Sequence, residues 1–327
     1  MMQAAYIEKV GSPDVICVGE LPIPEILESE ILVKVNATTV NHVDCYIRSG
    51  KYSQNLPNPY IVGRDFCGEV LKVGKAVHQF KVGDKVWSNC QGIHSRQGTF
   101  AQFLAVSPET IFHLPPHVNP LEAVAVFHSG FTAILGLTRE ASIKTDDILY
   151  VHGAAGNIGA AVIQVGKAMG AKVIASTHGK EKIDYCYQLG ADEVIDYKED
   201  IQTPLKKFAP QGINVFWNTS RIHDFKTSLP LLALKGRYIL MAGSGTESVL
   251  PIGALYTNDA SIRGFAITNA SLRETQQASG EINSLLEKGV LSARIDKVLS
   301  LNETQQAHEL MEENSIWGKI VLNISEN

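Results

Sequence analysis

Residues 148–165 read ILYVHGAAGNIGAAVIQV: five mostly apolar residues, a turn rich in glycine and alanine, then an apolar segment. Ala154, Gly156 and Gly159 fall at the spacing of a dinucleotide fingerprint, with alanine in the first glycine position. Gly156 would let the backbone approach a pyrophosphate, and Gly159 would let the helix close on its strand. Asn157 reads as the helix N-cap, and the amides of the first turn beyond it suit an anion. Ala155, Gly156, Asn157 and Ile158 are therefore the candidate phosphate-binding residues. Ile158, Ala161, Val162, Val165 and Met169 share one helical face, as a buried crossover helix requires. Any tight strand-to-helix turn can use such glycines, so the weight of the pattern comes from its surroundings.

Those surroundings alternate. After the turn the pattern predicts strand KVIAS (172–176), helix 180–189, strand EVID (193–196), helix 199–207 and strand INVFW (213–217). Helix 224–234 and strands RYILMA (237–242) and SIRGFA (261–266) follow, and an apolar helix over 121–138 precedes the series. Strands alternating with helices predict an α/β fold with a doubly wound parallel sheet, covered on both faces. Upstream the texture is β-rich: ILVKV (31–35), GEVLKVG (68–74) and VGDKVW (82–87) are short strands punctuated by glycines and prolines. Beyond Asn269 a helix–strand–helix–strand tail ending in KIVLNI is too short for a domain. The expected organisation is a β-rich unit over 1–122, a dinucleotide-binding unit over 123–269, and a tail, 270–327, packing back onto the first.

The chain has 327 residues, 45% hydrophobic and 19% charged, with a net charge of -5. No basic stripe marks a nucleic-acid partner. No run of about 18 uninterrupted apolar residues marks a membrane span, and no leader pattern opens the chain. The five cysteines are scattered without a CxxC pair, which suits free thiols in a reducing cytoplasm.

NAD sites usually carry an acid at the end of the second strand, on the ribose hydroxyls. Here Ser176 stands at that position and Lys180 and Lys182 follow. A hydroxyl with lysines nearby accepts a 2′-phosphate that a carboxylate would repel, so the pattern favours NADPH.

NHVDCYIRSGKY (41–52), PYIVGRDFCGEVLKVG (59–74), QGTFAQFLAV (97–106), GFTAILGL (130–137), LGADEVIDY (189–197) and GKIVLNI (318–324) together resemble the quinone oxidoreductase branch of the medium-chain dehydrogenase/reductase superfamily, the zeta-crystallin-like, zinc-independent branch. The resemblance implies a GroES-like catalytic domain, completed by the C-terminal tail, beside a Rossmann domain, with the nicotinamide in the cleft between them. It implies a homodimer or homotetramer paired through the sheet edge at SIRGFA. Zinc-dependent relatives place their metal ligands at positions that match Asn41, Arg64 with Asp65, and His128. Asparagine is a poor zinc ligand and arginine is none, so no metal site is expected; His128 reads as a packing or cleft-lining residue.

By the same resemblance Asn41, Tyr46 and Tyr52 lie near the nicotinamide and the substrate. Tyr52 has two readings, a proton or hydrogen-bond donor to a reducible carbonyl and a tyrosine in a proline-flanked surface loop. Arg64 either stabilises a developing enolate or anchors Asp65. Thr132, Gly243, Ser244, Phe265 and Ile267 match cofactor-contacting positions, and Lys319 either reaches the cofactor or is a surface lysine. Without a Lewis acid an electron-poor acceptor is favoured, a quinone or an α,β-unsaturated carbonyl. Two other readings remain, a zinc-free alcohol or aldehyde dehydrogenase and a non-catalytic NADPH-binding protein.

Overall fold

The N-terminal third forms eight strands: β1 (Met2–Ile7), β2 (Cys17–Leu21), β3 (Ile31–Val40), β4 (Tyr60–Ile61), β5 (Asp65–Val73), β6 (Lys85–Ser88), β7 (Phe103–Val106) and β8 (Phe112–His113), with helix α1 (His42–Arg48) after β3. Helix α2 (Pro120–Leu135) leads to β9 (Ile148–His152), α3 (Asn157–Ala168), β10 (Lys172–Thr177), α4 (Lys180–Gln188), β11 (Glu193–Asp196), α5 (Gln202–Phe208), β12 (Ile213–Asn218), α6 (Phe225–Ser228), β13 (Leu232–Leu240), α7 (Ile252–Tyr256) and β14 (Ser261–Gly264). Helix α8 (Leu272–Glu287), β15 (Ile295–Ser300), α9 (Thr304–Glu313) and β16 (Lys319–Asn323) complete the chain. The structure, a computed structural model, describes residues 1–52 and 55–325.

Contacts divide the chain into two units, Met1–His128 with Asn283–Asn327, and Ser129–Ile282. The expected boundary at 122 therefore moves along α2 to 128, and the one at 269 moves into α8, to 282. A sequence pattern marks where a helix starts, not where along it the neighbours change.

In the second unit six strands pair in parallel in the order β11-β10-β9-β12-β13-β14. The chain winds outward from β9 in one direction and then from β12 in the other, which is the Rossmann arrangement, with its switch point at the carboxyl ends of β9 and β12. Leu149, Val151, Val173, Ile174, Ala175, Val215, Phe216 and Trp217 are buried. These continuous apolar runs are what a sheet covered on both faces needs.

In the first unit a seven-stranded sheet runs β15-β16-β3-β5-β6-β8, with β7 also on β3, beside a small sheet β2-β1-β4. The tail is part of this unit: β16 lies antiparallel to β3, Ile320 opposite Val40.

The helix expected over 224–234 is instead one turn, Phe225–Ser228, then a 3₁₀ turn, Leu229–Leu231, after which Leu232 already enters β13. Pro230 has no amide hydrogen and cannot continue a helix there. One helix, Pro120–Glu140, is apolar and long enough to cross a membrane by length and composition, although single charges interrupt its apolar run; 78% of its apolar window is buried inside the protein, as in a core helix.

That helix ends in a π turn, Gly136–Glu140, where a Cβ on Gly136 would stand 2.1 Å from the Trp217 ring. Gly136→Ala should therefore overpack the Rossmann core and lower stability by about 1–3 kcal/mol, measured by urea unfolding; unchanged stability would show that the ring yields freely.

Candidate functional site

Backbone geometry shapes the opening turn. Gly153 has φ +73°, and a Cβ there would meet the Thr219 hydroxyl at 2.3 Å. The amides of Gly153 and Ala154 donate to the Ser176 carbonyl at 3.1 and 3.0 Å, tying the turn to β10. Thr219 ties it to β12, its hydroxyl donating to the His152 carbonyl at 2.8 Å. A Cβ on Gly159 would stand 2.6 Å from Ala154 Cα, so only glycine lets α3 approach this closely. Gly156, and not Asn157, is the N-cap, with φ -76° and ψ 168°. Asn157 is the first helical residue, because the exposed Gly156 already makes the extended step that a cap requires. Ala155, Gly156, Asn157 and Ile158 thus form one rim at the start of the three-turn helix α3, and a helix N-terminus is the kind of place that suits an anion. Sequence reasoning missed Gly153, whose only signal is its place immediately after the strand.

At the end of β10 the expected arrangement changes. Ser176 is fully buried within the strand, its hydroxyl facing Tyr150 and its carbonyl engaged by the turn, rather than standing at the opening. The strand extends one residue further, to Thr177, and both residues are buried, as in a sheet covered on both faces. The groups at the opening are His178 and Gly179, with Lys180 and Lys182 exposed on the first turn of α4. A carboxylate does stand there: Asp196, from the end of the neighbouring strand, lies 2.9 Å from His178 Nδ1.

Elsewhere in this unit Thr132 is buried on α2. Gly243 follows β13 with φ +98°, and Ser244 beside it is exposed. Phe265 follows β14, edge-on to Trp217 at 5.9 Å with the Arg139 guanidinium over its ring, and Ile267 starts a 3₁₀ turn. The segments after β13 and β14 leave the carboxyl ends of their strands, the side on which ligands of such sheets bind.

The first unit holds a buried polar cluster. Lys319, at the start of β16, is 2% exposed and its Nζ donates to Asn41 Oδ1 at 2.6 Å. Asn41 Nδ2 donates to Asp65 Oδ2 at 2.9 Å, and the Thr39 hydroxyl donates to the same oxygen at 2.9 Å. The Asn41 amide donates to Asp44 Oδ2 at 2.7 Å as α1 begins. Arg64, 2% exposed, reaches the Asn89 carbonyl at 3.2 Å. Lys319 is therefore not a surface lysine: its ammonium is buried and donates to Asn41. Burial, joined by the Asp65 carboxylate, pushes Asp44 up to about 7 against the pull of the Asn41 amide, Arg64 and Lys319. Burial also raises Asp65, with Lys319 opposing most strongly. Burial, then Lys319 and Arg64, hold His128 well below its usual range, so its imidazole is neutral. Tyr46 stacks on His42 at 6.3 Å, and its carbonyl accepts the Tyr52 amide at 3.0 Å, while the Tyr52 ring is 42% exposed. The Lys319–Asn41 link spans 278 residues, a juxtaposition that no local pattern carries.

The alcohol dehydrogenase GroES-like domain family matches residues 28–116, and the zinc-binding dehydrogenase family matches residues 157–284. A quinone oxidoreductase from Sus scrofa is 31% identical over 326 residues, covering 98% of each chain. The structure of Escherichia coli quinone oxidoreductase complexed with NADPH superposes with a TM-score of 0.86 at 27% identity, over 98% of this chain and all of that one. An NAD-dependent alcohol dehydrogenase superposes with a TM-score of 0.88 at 26% identity, over 99% and 100%. A zinc ion does not fit the buried cluster. Both ends of the Asn41 amide are committed to Lys319 and Asp65, and the Arg64 and Lys319 cations already lie beside it. Among the described residues no group of three or more His, Cys, Asp or Glu is placed to share a metal.

The raised Asp44 sets a pH dependence. A carboxyl whose folded pKa of about 7 lies above its unfolded 3.8 destabilises the fold progressively as pH rises from about 4 to 7, by about 4 kcal/mol in the limit. Asp44→Asn should flatten that decline, measured as urea unfolding free energy at pH 5 and pH 7.5; an unaltered slope would remove Asp44 as its source.

Proposed function

We propose that this chain, which belongs to the quinone oxidoreductase family of the medium-chain dehydrogenase/reductase superfamily, is an NADPH-dependent oxidoreductase that reduces a quinone or an α,β-unsaturated carbonyl without zinc. The observation that supports this reading is the buried Lys319–Asn41–Asp65 cluster with Arg64 beside it: of the positions that match metal ligands in zinc-dependent relatives, Asn41 is an amide committed to Lys319 and Asp65, and Arg64 is a cation. Lacking a Lewis acid, such a site favours acceptors that are already electron-poor over simple alcohols. The relative solved with NADPH supports the choice of cofactor, as do the exposed Lys180 and Lys182.

Bound NADPH supplies the hydride. The rim at Ala155, Gly156, Asn157 and Ile158, at the start of α3, would hold its pyrophosphate, with Gly156 letting that group approach the backbone. Thr132, Gly243, Ser244, Phe265 and Ile267 orient the nicotinamide end. Asn41 is held in one amide orientation by Lys319 and Asp65, ready to position the ring. Tyr46 and Tyr52 shape the acceptor pocket, and the Tyr52 hydroxyl donates to the acceptor oxygen. Arg64 serves Asp44 and Asp65 as a buried counter-charge. Assembly into dimers or tetramers through β14, the outer strand of the parallel sheet, belongs to this proposal, as does a cytoplasmic setting, in keeping with five unpaired cysteines.

The test is oxidation of NADPH by purified protein with 1,2-naphthoquinone and with a 2-alkenal, with product identification and elemental analysis. Turnover of either acceptor by zinc-free protein is the expected result. NADPH binding without turnover of any quinone or enone would leave a binding protein instead, and zinc with alcohol oxidation would leave a dehydrogenase. Tyr52→Phe should lower kcat by about a hundredfold if its hydroxyl serves the acceptor oxygen; an unchanged kcat would return Tyr52 to a surface loop.

A further inference from the structure

The strand end where a Rossmann fold reads the adenosine ribose carries an acid after all, supplied by the neighbouring strand. β10 and β11 pair in parallel register with Thr177 opposite Asp196, which brings the Asp196 carboxylate to the opening beyond Thr177. Asp196 Oδ1 accepts the Lys198 amide at 3.0 Å, and Oδ2 accepts the Gly179 amide at 3.5 Å. Both oxygens lie 2.9 Å from His178 Nδ1. These donors, the Lys198 amide foremost, hold Asp196 below the usual carboxylate range, so it is ionised.

An ionised carboxylate standing open at this place accepts hydrogen bonds from the 2′- and 3′-hydroxyls of NAD and repels a 2′-phosphate. This one is not open. The His178 ring lies across it, leaving the Asp196 side chain 14% exposed while the imidazole itself is 42% exposed. Tyr197 packs against the rings of His178 at 5.7 Å and His152 at 6.0 Å, which fixes the shelf from the β9 side. Gly179 next to it has φ +93° and nothing within 4 Å of where a Cβ would stand, so the space beside the pair is open. Lys180 and Lys182 follow Gly179 on the first turn of α4, both exposed.

We propose that the His178–Asp196 pair decides between a 2′-phosphate and a 2′-hydroxyl on the cofactor: His178 covers a carboxylate that would otherwise select the unphosphorylated dinucleotide. The inference rests on the dinucleotide reading above and names the residues that set its specificity. His178 acts through Asp196 as a positioning and screening residue. A screened carboxylate followed by two exposed lysines suits a phosphate dianion, and removing only the imidazole uncovers the carboxylate.

The experiment is fluorescence titration of the full-length protein with NADPH and with NADH, for the wild type, His178→Ala, Asp196→Asn and the double variant. His178→Ala should lower the preference for NADPH over NADH by about fivefold to tenfold, the scale of one uncompensated surface charge. Asp196→Asn should raise that preference, and the double variant should recover at least the wild-type ratio, because without the carboxylate there is nothing for His178 to mask. A ratio within twofold of wild type in His178→Ala, or equal weakening of both cofactors, would overturn the proposal. A wild type that binds neither dinucleotide would overturn the reading beneath it, and the same titration separates the two failures.

Discussion

A lysine ammonium buried to 2% exposure has to be answered inside the protein, and the first unit is organised around that answer. Lys319 brings the start of β16 to Asn41, which is the residue at which β3 hands over to α1. Asn41 passes the contact to Asp65, the first residue of β5, and Thr39 on β3 donates to the same carboxylate. One network therefore pins three strands and a helix at their ends. Burying ions is costly unless they are paired and hydrogen-bonded, and breaking such a pair usually costs about 3–5 kcal/mol. The tail is held in the sheet by this electrostatic requirement as much as by the apolar residues Ile320, Val321 and Leu322 that follow Lys319 into the core.

The second unit is constrained differently. Nothing charged organises its opening turn; close backbone approach does. Gly153 turns where a side chain would strike Thr219, Gly159 lets α3 lie against Ala154, and two amides dock onto one carbonyl of β10. The result is a rigid rim that offers amides without a single charged side chain, so selectivity for one dinucleotide has to come from the periphery. The charged residues sit there, at the ends of β10 and β11.

Much of this architecture was legible in the residues. The predicted strands at 148–152 and 193–196 match the structure to the residue, and KVIAS and INVFW each extend by one. Apolar runs between helical segments carry that information locally. The failures share a cause. Pro230 interrupts a leucine-rich segment that reads as helical, and the strand that holds Ser176 runs one residue further, through the equally buried Thr177. What Lys319 and Asp196 do could not be read from local sequence, because the partners that give them meaning come from other strands.

The pairing of β16 with β3 has a consequence for how the chain is made. Residues joined by the Lys319–Asn41 bond leave the ribosome 278 positions apart, and the whole of Ser129–Ile282 emerges between them. Its parallel sheet closes through neighbouring βαβ steps, whereas the first sheet waits on its most distant partner. Until that partner arrives, Asp65 lacks its ammonium and the Ala37–Val40 edge of β3 stands open to any passing strand. The unit translated first is thus the last to be completed, and during synthesis it is the half of the protein that has to be kept from pairing too early.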